Sequence, residues 1–332
     1  MRATRILHAI DAGLLRLPEA GPIAVFHPQA GDDLSPLGHD RVRVITGFRP
    51  DHDAFAAAGY AVATTAEGPY AAALVCLPRA RAEARALVAA AAAHLPEGAP
   101  LIVDGQKTDG VDACFRELRS RVDLGEAVAK AHGKLAVFAA PDATVFADWA
   151  AGPVDLAEGF RTLPGVFSAD GVDAGSAMLA AALPEKLPRK VMDLGAGWGF
   201  LSRAVLAHPE VEELHLVEAE AAALDCARLN ITDPRAQFHW ADALRFRLPG
   251  PVGAVVMNPP FHTGRAADPA LGAAFIKAAA GMLSPSGTLW MVANRHLPYE
   301  PVLRAAFRDV DEIGGDGRFR LTRAARPHKI KA

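Results

Sequence analysis

Cysteine is scarce in this chain. Its three copies, Cys76, Cys114 and Cys226, stand far apart in 332 residues. They have neither the density of a disulfide scaffold nor the spacing of a metal site, which points to a reducing compartment and no bound metal. Long apolar runs are missing too. The opening Met1-Arg2-Ala3-Thr4-Arg5 leads into apolar residues broken by His8, Asp11 and Arg16. That is no secretion signal, and no uninterrupted run is long enough to cross a bilayer. A soluble, cytoplasmic protein with no membrane partner is expected. Surplus positive charge is also absent. A net charge of −3 argues against a protein that coats bare duplex, so any nucleic-acid contact must come from a local patch. The last stretch offers one in Arg318, Arg320, Arg323, Arg326, His328, Lys329 and Lys331, which reads equally well as a solvated tail. With 51% apolar and 22% charged residues, nothing indicates disorder, and the length allows two domains with ample core.

What is there is alternation. Short apolar runs are followed by longer alanine-rich stretches of helical spacing, the pattern of an α/β chain with a mostly parallel sheet. In the second half the strand-like runs are 190–194, 213–218, 237–242, 254–257 and 288–292, with helical stretches at 200–208 and 219–229. A last pair, 310–313 and 319–324, is joined by Gly314-Gly315-Asp316-Gly317. That turn reads as a hairpin, so an antiparallel strand should end the sheet. The first half resembles a faded copy. Ala72 to Arg79 parallels Gly253 to Phe261, and Leu101 to Val103 parallels Leu289 to Val292. Two unrelated α/β units share enough grammar that chance likeness is the competing explanation. The copy has Cys76-Leu77-Pro78-Arg79 where the second half has Asn258-Pro259-Pro260-Phe261, and its nearest candidate for a glycine loop is Gly47-Phe48-Arg49-Pro50. The boundary is expected near Ala150 to Pro153.

Asp193-Leu194-Gly195-Ala196-Gly197-Trp198-Gly199 closes the first strand of the second half. Glycines at alternate positions permit backbone angles closed to other residues and let a nucleoside cofactor approach the main chain. A dinucleotide fingerprint would place its third glycine one residue later, where Phe200 stands, so the loop alone leaves methyltransferase and nicotinamide enzyme both open. Asp193 is placed to anchor a cofactor ammonium, directly or through water. Glu218, ending the next strand, is placed to accept from both ribose hydroxyls, a role both enzyme classes need. Asp242 is positioned for an adenine amine and Ala243 for a backbone contact to the ring, although Asp242 equally suits a helix cap.

Asn258 to Phe261 separates the classes. Two prolines at a strand end fix the backbone and turn Asn258 toward the carboxyl edge of the sheet, where α/β proteins bind ligands. An exocyclic amine on a planar ring is a poor nucleophile because its lone pair is delocalised. The Asn258 side-chain oxygen and the Pro259 carbonyl can each accept one N–H, which favours a pyramidal nitrogen aimed at a sulfonium methyl. Phe261 can stack on the ring. This chemistry is S-adenosyl-L-methionine-dependent N-methylation. The segment from Gly165 to Ser176 suits a lid over the cofactor, while Asp173 and Ser176 equally suit a helix cap.

Phe167-Ser168 with Asp173-Ala174-Gly175-Ser176, the 193–199 loop, Asn258 to Gly264 and Val292-Ala293-Asn294-Arg295-His296-Leu297-Pro298-Tyr299 together resemble the RsmC-type ribosomal RNA guanine-N2 methyltransferases. The resemblance implies two tandem Rossmann-like class I methyltransferase domains, the N-terminal one degenerate. It implies residues 1–150 as a support and RNA-binding domain, 151–163 as linker and 164–332 as the catalytic domain. It also implies S-adenosyl-L-methionine as cofactor, 16S ribosomal RNA or the assembling small subunit as partner, and a monomer. Asn258, Pro259, Pro260 and Phe261 would be catalytic. Asp193, Gly195, Ala196, Gly197, Gly199, Glu218, Asp242, Ala243 and Asn258 would hold the cofactor, and Phe167, His262 and Asn294 would face the substrate. Two positions depart from the family pattern: Glu218 stands where Asp is usual, and Trp198 where a small residue is usual. A large-subunit RNA enzyme, a protein-glutamine or adenine methyltransferase, and a non-catalytic RNA-binding scaffold are the alternatives.

Overall fold

The computed structural model describes residues 1–260 and 269–328 and divides into two compact units, Met1–Gly152 and Pro153–Ala332. In the first unit the apolar runs become β1 (Ile23–Phe26), β2 (Val42–Ile45), β3 (Ala61–Ala63), β4 (Ala72–Cys76), β5 (Pro100–Gln106), β6 (Val128–Lys130) and β7 (Gly133–Ala139). Around them lie α1 (Arg2–Asp11), α2 (Arg49–Ala57), α3 (Arg81–Ala93) and α4 (Val111–Arg119). Every residue of β1 and β4 is buried, as expected of central parallel strands covered on both faces. The sheet order is β3-β2-β1-β4-β5-β7-β6, with β7 antiparallel to both of its neighbours.

The second unit opens with a small ribbon, β8 (Val154–Asp155) and β9 (Arg161–Thr162). Of residues 151–163, expected as linker, most are exposed, and Phe160 and Thr162 are buried. Phe160 is 1% exposed and sits in a cluster with Val166, Trp198, Ala223 and Cys226. The sheet comprises β10 (Lys190–Leu194), β11 (Glu213–Glu218), β12 (Ala236–Trp240), β13 (Val252–Met257), β14 (Leu283–Asn294), β15 (Phe307–Gly315) and β16 (Phe319–Pro327). Its helices are α5 (Ala174–Ala181), α6 (Phe200–Leu206), α7 (Ala221–Asn230), α8 (Pro269–Met282) and α9 (Glu300–Ala306). The order β12-β11-β10-β13-β14-β16-β15 repeats that of the first unit strand for strand. The hairpin expected at Gly314 to Gly317 joins β15 to β16, and β16 runs antiparallel to β14.

Two details differ from the sequence reading. β14 begins at Leu283 rather than at 288. Val252 pairs with Leu283 and Ala254 with Thr288, so the Ser-Pro-Ser-Gly stretch bulges out of the ladder, where Pro285 needs no donor. The second concerns the faded copy. β4 occupies the place of β13, so Cys76 to Pro78 correspond to Asn258 to Pro260. Gly47, however, follows β2, the place of Glu218. The counterpart of the glycine loop follows β1 and reads His27-Pro28-Gln29-Ala30-Gly31. At that edge Arg2 of α1 pairs with Asp32 and with the wholly buried Asp104 of β5, which Arg5 also binds through Nη2 at 2.8 Å. Ion pairs stand where the second unit presents glycines.

Candidate active site

In the second unit β10 lies between β11 and β13, all parallel, with Asp193 opposite both Leu216 and Val256. The loops after β10 and β13 therefore leave the sheet side by side at its carboxyl edge, and a third segment, 160–173, is hydrogen-bonded to both of them. The first is 195–199. Gly195, Gly197 and Gly199 all have positive φ, at 79°, 54° and 92°, a conformation that costs L-residues about 1–2 kcal/mol. Gly195 and Ala196 N–H both donate to the Val217 carbonyl, at 2.9 and 3.1 Å, which presses the loop against β11. A Cβ on Gly197 would meet no atom within 4 Å. The space over this glycine is open, as close approach of a cofactor requires.

Glu218 ends β11 and grips this loop. Its Oε2 accepts from Gly197 N–H and its Oε1 from Glu220 N–H, each at 2.8 Å. Burial raises its carboxyl above the ordinary range, and these backbone donors oppose that. Each oxygen retains a lone pair for a ribose hydroxyl. Asp193 is completely buried. Its Oδ2 accepts from Ser202 Oγ at 2.7 Å, while Oδ1 is buried without a partner. Burial first, and the neighbouring Glu218 charge second, push its carboxyl up to about 7 against the Ser202 hydrogen bond. The orphaned acceptor matches an ammonium group or a water bound to one. These carboxylate acceptors and glycines fit a methionyl nucleoside cofactor, which would set its ammonium at Asp193 and its ribose at Glu218 over the glycine backbone. Asp242, past β12, caps a turn by accepting from Leu244 N–H at 2.9 Å. Its Oδ2 makes no hydrogen bond among the described residues, so one acceptor is left for an adenine amine. Ala243, 4% exposed, packs its methyl into the core beside Val217 and Met257.

The second loop carries Asn258, half-buried, followed by buried Pro259 and exposed Pro260. Asn258 Nδ2 donates twice, to Asp173 Oδ2 and to Ser176 Oγ, both at 2.9 Å. Asp173 Oδ2 also accepts from Ser176 N–H at 2.8 Å, so it caps α5 and binds Asn258 with one atom. Phe261 and His262 lie outside the described residues. Asn294 closes β14 at the same edge, 8% exposed, its carbonyl accepting from Leu297 N–H at 3.1 Å.

The third loop, the 160–173 segment, is fastened to the glycine loop. Trp198, the unusual residue there, turns inward at 4% exposure. Its ring meets Phe160 edge-on at 4.8 Å and its Nε1 donates to the Phe167 carbonyl at 2.8 Å. Asn230 accepts from Arg161 N–H at 2.7 Å and donates to the Arg161 and Trp198 carbonyls. Phe167 itself is 55% exposed, an aromatic face on a pinned backbone. Ser202 and Asn230 escape sequence reasoning, because a serine or an asparagine inside a helix carries no motif. The C-terminal arginines also differ from an open basic patch. Arg323 pairs with Asp311 at 3.1 Å, Arg326 with Asp309 at 2.5 Å, and Arg320 with Glu300 and Glu312 at 3.3 Å. The pairs with Asp309, Asp311 and Glu312 of β15 form a cross-strand ladder of opposite charges, and Glu300 joins it from α9. Arg318 instead lies over the Phe319 ring at 4.7 Å, and Lys329 and Lys331 lie outside the described residues. Among the described residues no helix is long and apolar enough to cross a membrane.

Comparison with known proteins agrees with this geometry. A family model described as "Methyltransferase small domain" matches residues 158–323. A ribosomal RNA small subunit methyltransferase C from Klebsiella pneumoniae is 31% identical over 243 residues, 71% of this chain and 70% of that protein. Its namesake from Salmonella newport is 30% identical over the same shares. Among solved structures, a T. thermophilus 16S rRNA N2 G1207 methyltransferase (RsmC), in complex with AdoMet and guanosine, superposes with a TM-score of 0.79 at 26% identity. That match covers 94% of this chain and 90% of that one. With the glycine loop, Glu218 and Asn258 gathered at one sheet edge, these matches establish that the chain belongs to the ribosomal RNA small subunit methyltransferase C family.

Proposed function

We propose that this protein transfers a methyl group from S-adenosylmethionine to the exocyclic N2 of a guanine in 16S ribosomal RNA. The observation that carries the reading is the Asn258 amide, held with its nitrogen edge toward Asp173 and Ser176 beside the glycine loop. Its oxygen edge is thereby the one available to an incoming amine. The bound cofactor supplies an electrophilic methyl on sulfur: a new N–C bond forms as the C–S bond breaks, and the bonding pair returns to sulfur. The chain's own task is to bring the amine in line. Asn258 Oδ1 and the Pro259 carbonyl each accept one N2 hydrogen, which turns the nitrogen lone pair toward the methyl. The displaced proton leaves along these acceptors to solvent. In this reading Phe261 stacks on the guanine, with Phe167, His262 and Asn294 around it. Asp193, Glu218, Asp242 and Ala243 hold the cofactor with the 195–199 backbone.

We assign residues 1–150, which lie in the first unit, a supporting and RNA-contacting role without chemistry. The protein acts as a cytoplasmic monomer on ribosomal RNA or the assembling small subunit. The relatives named as 16S or small-subunit enzymes support this substrate. The test is transfer of labelled methyl from S-adenosylmethionine to small-subunit particles and RNA from cells lacking the enzyme, followed by nucleoside analysis. N2-methylguanosine in 16S RNA, abolished by Asn258→Ala with cofactor binding retained, is the expected result. Label in large-subunit RNA, in adenosine or in protein would overturn it.

A further inference from the structure

An asparagine amide can point either edge at a ligand. Rotating it by a half-turn about its last side-chain bond exchanges oxygen for NH2, and in water the two orientations are nearly equivalent. For a residue that must accept hydrogen bonds from an amine, the wrong orientation opposes donor to donor. In this structure something selects the orientation. Both N–H bonds of Asn258 Nδ2 are used, one by Asp173 Oδ2 and one by Ser176 Oγ, each at 2.9 Å. Flipping the amide would place Asn258 Oδ1 against the Asp173 carboxylate oxygen, which has no proton to give, whereas the Ser176 hydroxyl serves either orientation. Ser176 is 7% exposed, so the loss at Asp173 would be felt in a site with little water to compensate. Oδ1, on the opposite edge, accepts nothing from the described residues. Asp173 Oδ2 is itself fixed by Ser176 N–H at 2.8 Å, so the acceptor that reads Asn258 is anchored to the first turn of α5.

We infer that Asp173 and Ser176 are positioning residues for methyl transfer: they lock the Asn258 amide with its oxygen toward the target amine. The inference rests on the reaction proposed above. It gives Asp173 a task separable from helix capping, because capping needs only an acceptor near Ser176 N–H, whereas the lock needs one long enough to reach Asn258. Asp173→Ser separates them. Serine is an equally good helix cap, but its hydroxyl is one bond too short for Asn258. Asp173→Asn preserves both reach and acceptor.

The experiment is steady-state methylation of small-subunit particles, with cofactor binding by calorimetry and thermal melting in parallel. For Asp173→Ser, kcat should fall about tenfold to a hundredfold, with cofactor Kd and melting temperature close to wild type. Asp173→Asn should recover most of the loss. Ser176→Ala, which leaves the backbone cap in place and removes one of two acceptors, should show a smaller fall in kcat. If Asp173→Ser unfolds, Asp173→Thr takes its place, its hydroxyl being a helix cap of the same short reach, and an undiminished kcat there overturns the lock. Wild-type kcat in Asp173→Ser also overturns it, as does a loss confined to cofactor Kd. If the wild-type enzyme makes no N2-methylguanosine, the proposed reaction fails and this inference with it. Product from wild type and equal product from the variants sinks the lock alone.

Discussion

The Trp198 indole nitrogen donates to the Phe167 carbonyl oxygen at 2.8 Å, joining the cofactor loop to the segment that displays an exposed aromatic ring. A small residue at 198 would leave that carbonyl unheld. Trp198→Phe keeps the ring beside Phe160 but removes the donor. We expect a loss of about 1 kcal/mol in unfolding free energy, the worth of one net hydrogen bond. We also expect KM for the RNA substrate to rise with kcat little changed, since the Phe167 backbone would no longer be fixed. Urea titration and steady-state kinetics measure the two. An unchanged KM would show that the pinned backbone does not serve the substrate.

The glycines of the 195–199 loop should separate into two kinds. Gly197 has open space where a Cβ would stand, whereas a Cβ on Gly199 would come within 2.7 Å of Ile231 Cδ1. Both have positive φ, so alanine at either pays about 1–2 kcal/mol in backbone strain. Gly199→Ala adds an internal clash at the flexible end of a side chain and should lower the melting point further. Gly197→Ala adds a methyl only over the face where the cofactor approaches. We predict a larger loss of S-adenosylmethionine affinity for Gly197→Ala and a larger loss of stability for Gly199→Ala. Calorimetric titration against thermal melting would reveal the opposite ordering, which would move the cofactor away from Gly197.

Much of this arrangement was legible in the chain. β10 and β11 are bounded as the apolar runs predict, because a buried parallel strand leaves a continuous apolar stretch that stops where the backbone reaches the functional edge. The Asn-Pro-Pro turn was legible because two prolines fix their own backbone. What the sequence concealed depends on partners distant along the chain. Asp173 lies 85 residues from Asn258 and Asn230 lies 69 from Arg161. Neither pair has a periodicity to reveal it. The arginines of β16 read as a patch in one dimension because the acids of β15 that neutralise them become neighbours only when the hairpin closes. The lost glycine loop of the first unit was misplaced for a similar reason. With Gly31 alone left and the alternating glycines gone, only strand order identifies 27–31 as its counterpart.

Two buried groups in the second unit should give opposite responses to acid. Asp193 is held at about 7 rather than 3.8, chiefly by burial. The folded state therefore keeps its proton where the unfolded chain has lost it, and stability is gained as pH falls from about 7 toward 4. His215 on β11 is 2% exposed, its Nδ1 lies 2.9 Å from His239 Nε2, and its Nε2 lies 3.1 Å from Glu213 Oε1 without the alignment of a hydrogen bond. Burial lowers its pKa from 6.5 to about 4, against the attraction of Glu213. The unfolded chain protonates first, so stability is lost as pH falls from 6.5 toward 4. Each group contributes a slope of at most about 1.4 kcal/mol per pH unit, and in the wild-type protein the two largely cancel. Asp193→Asn removes the gain, so this variant should lose stability on acidification faster than wild type. His215→Gln removes the loss, so it should become more stable relative to wild type over the same interval. Urea midpoints of the cofactor-free proteins at several pH values between 4.5 and 7.5 would show the two variants diverging to either side of wild type. Parallel curves for all three would mean that neither group changes its protonation on folding.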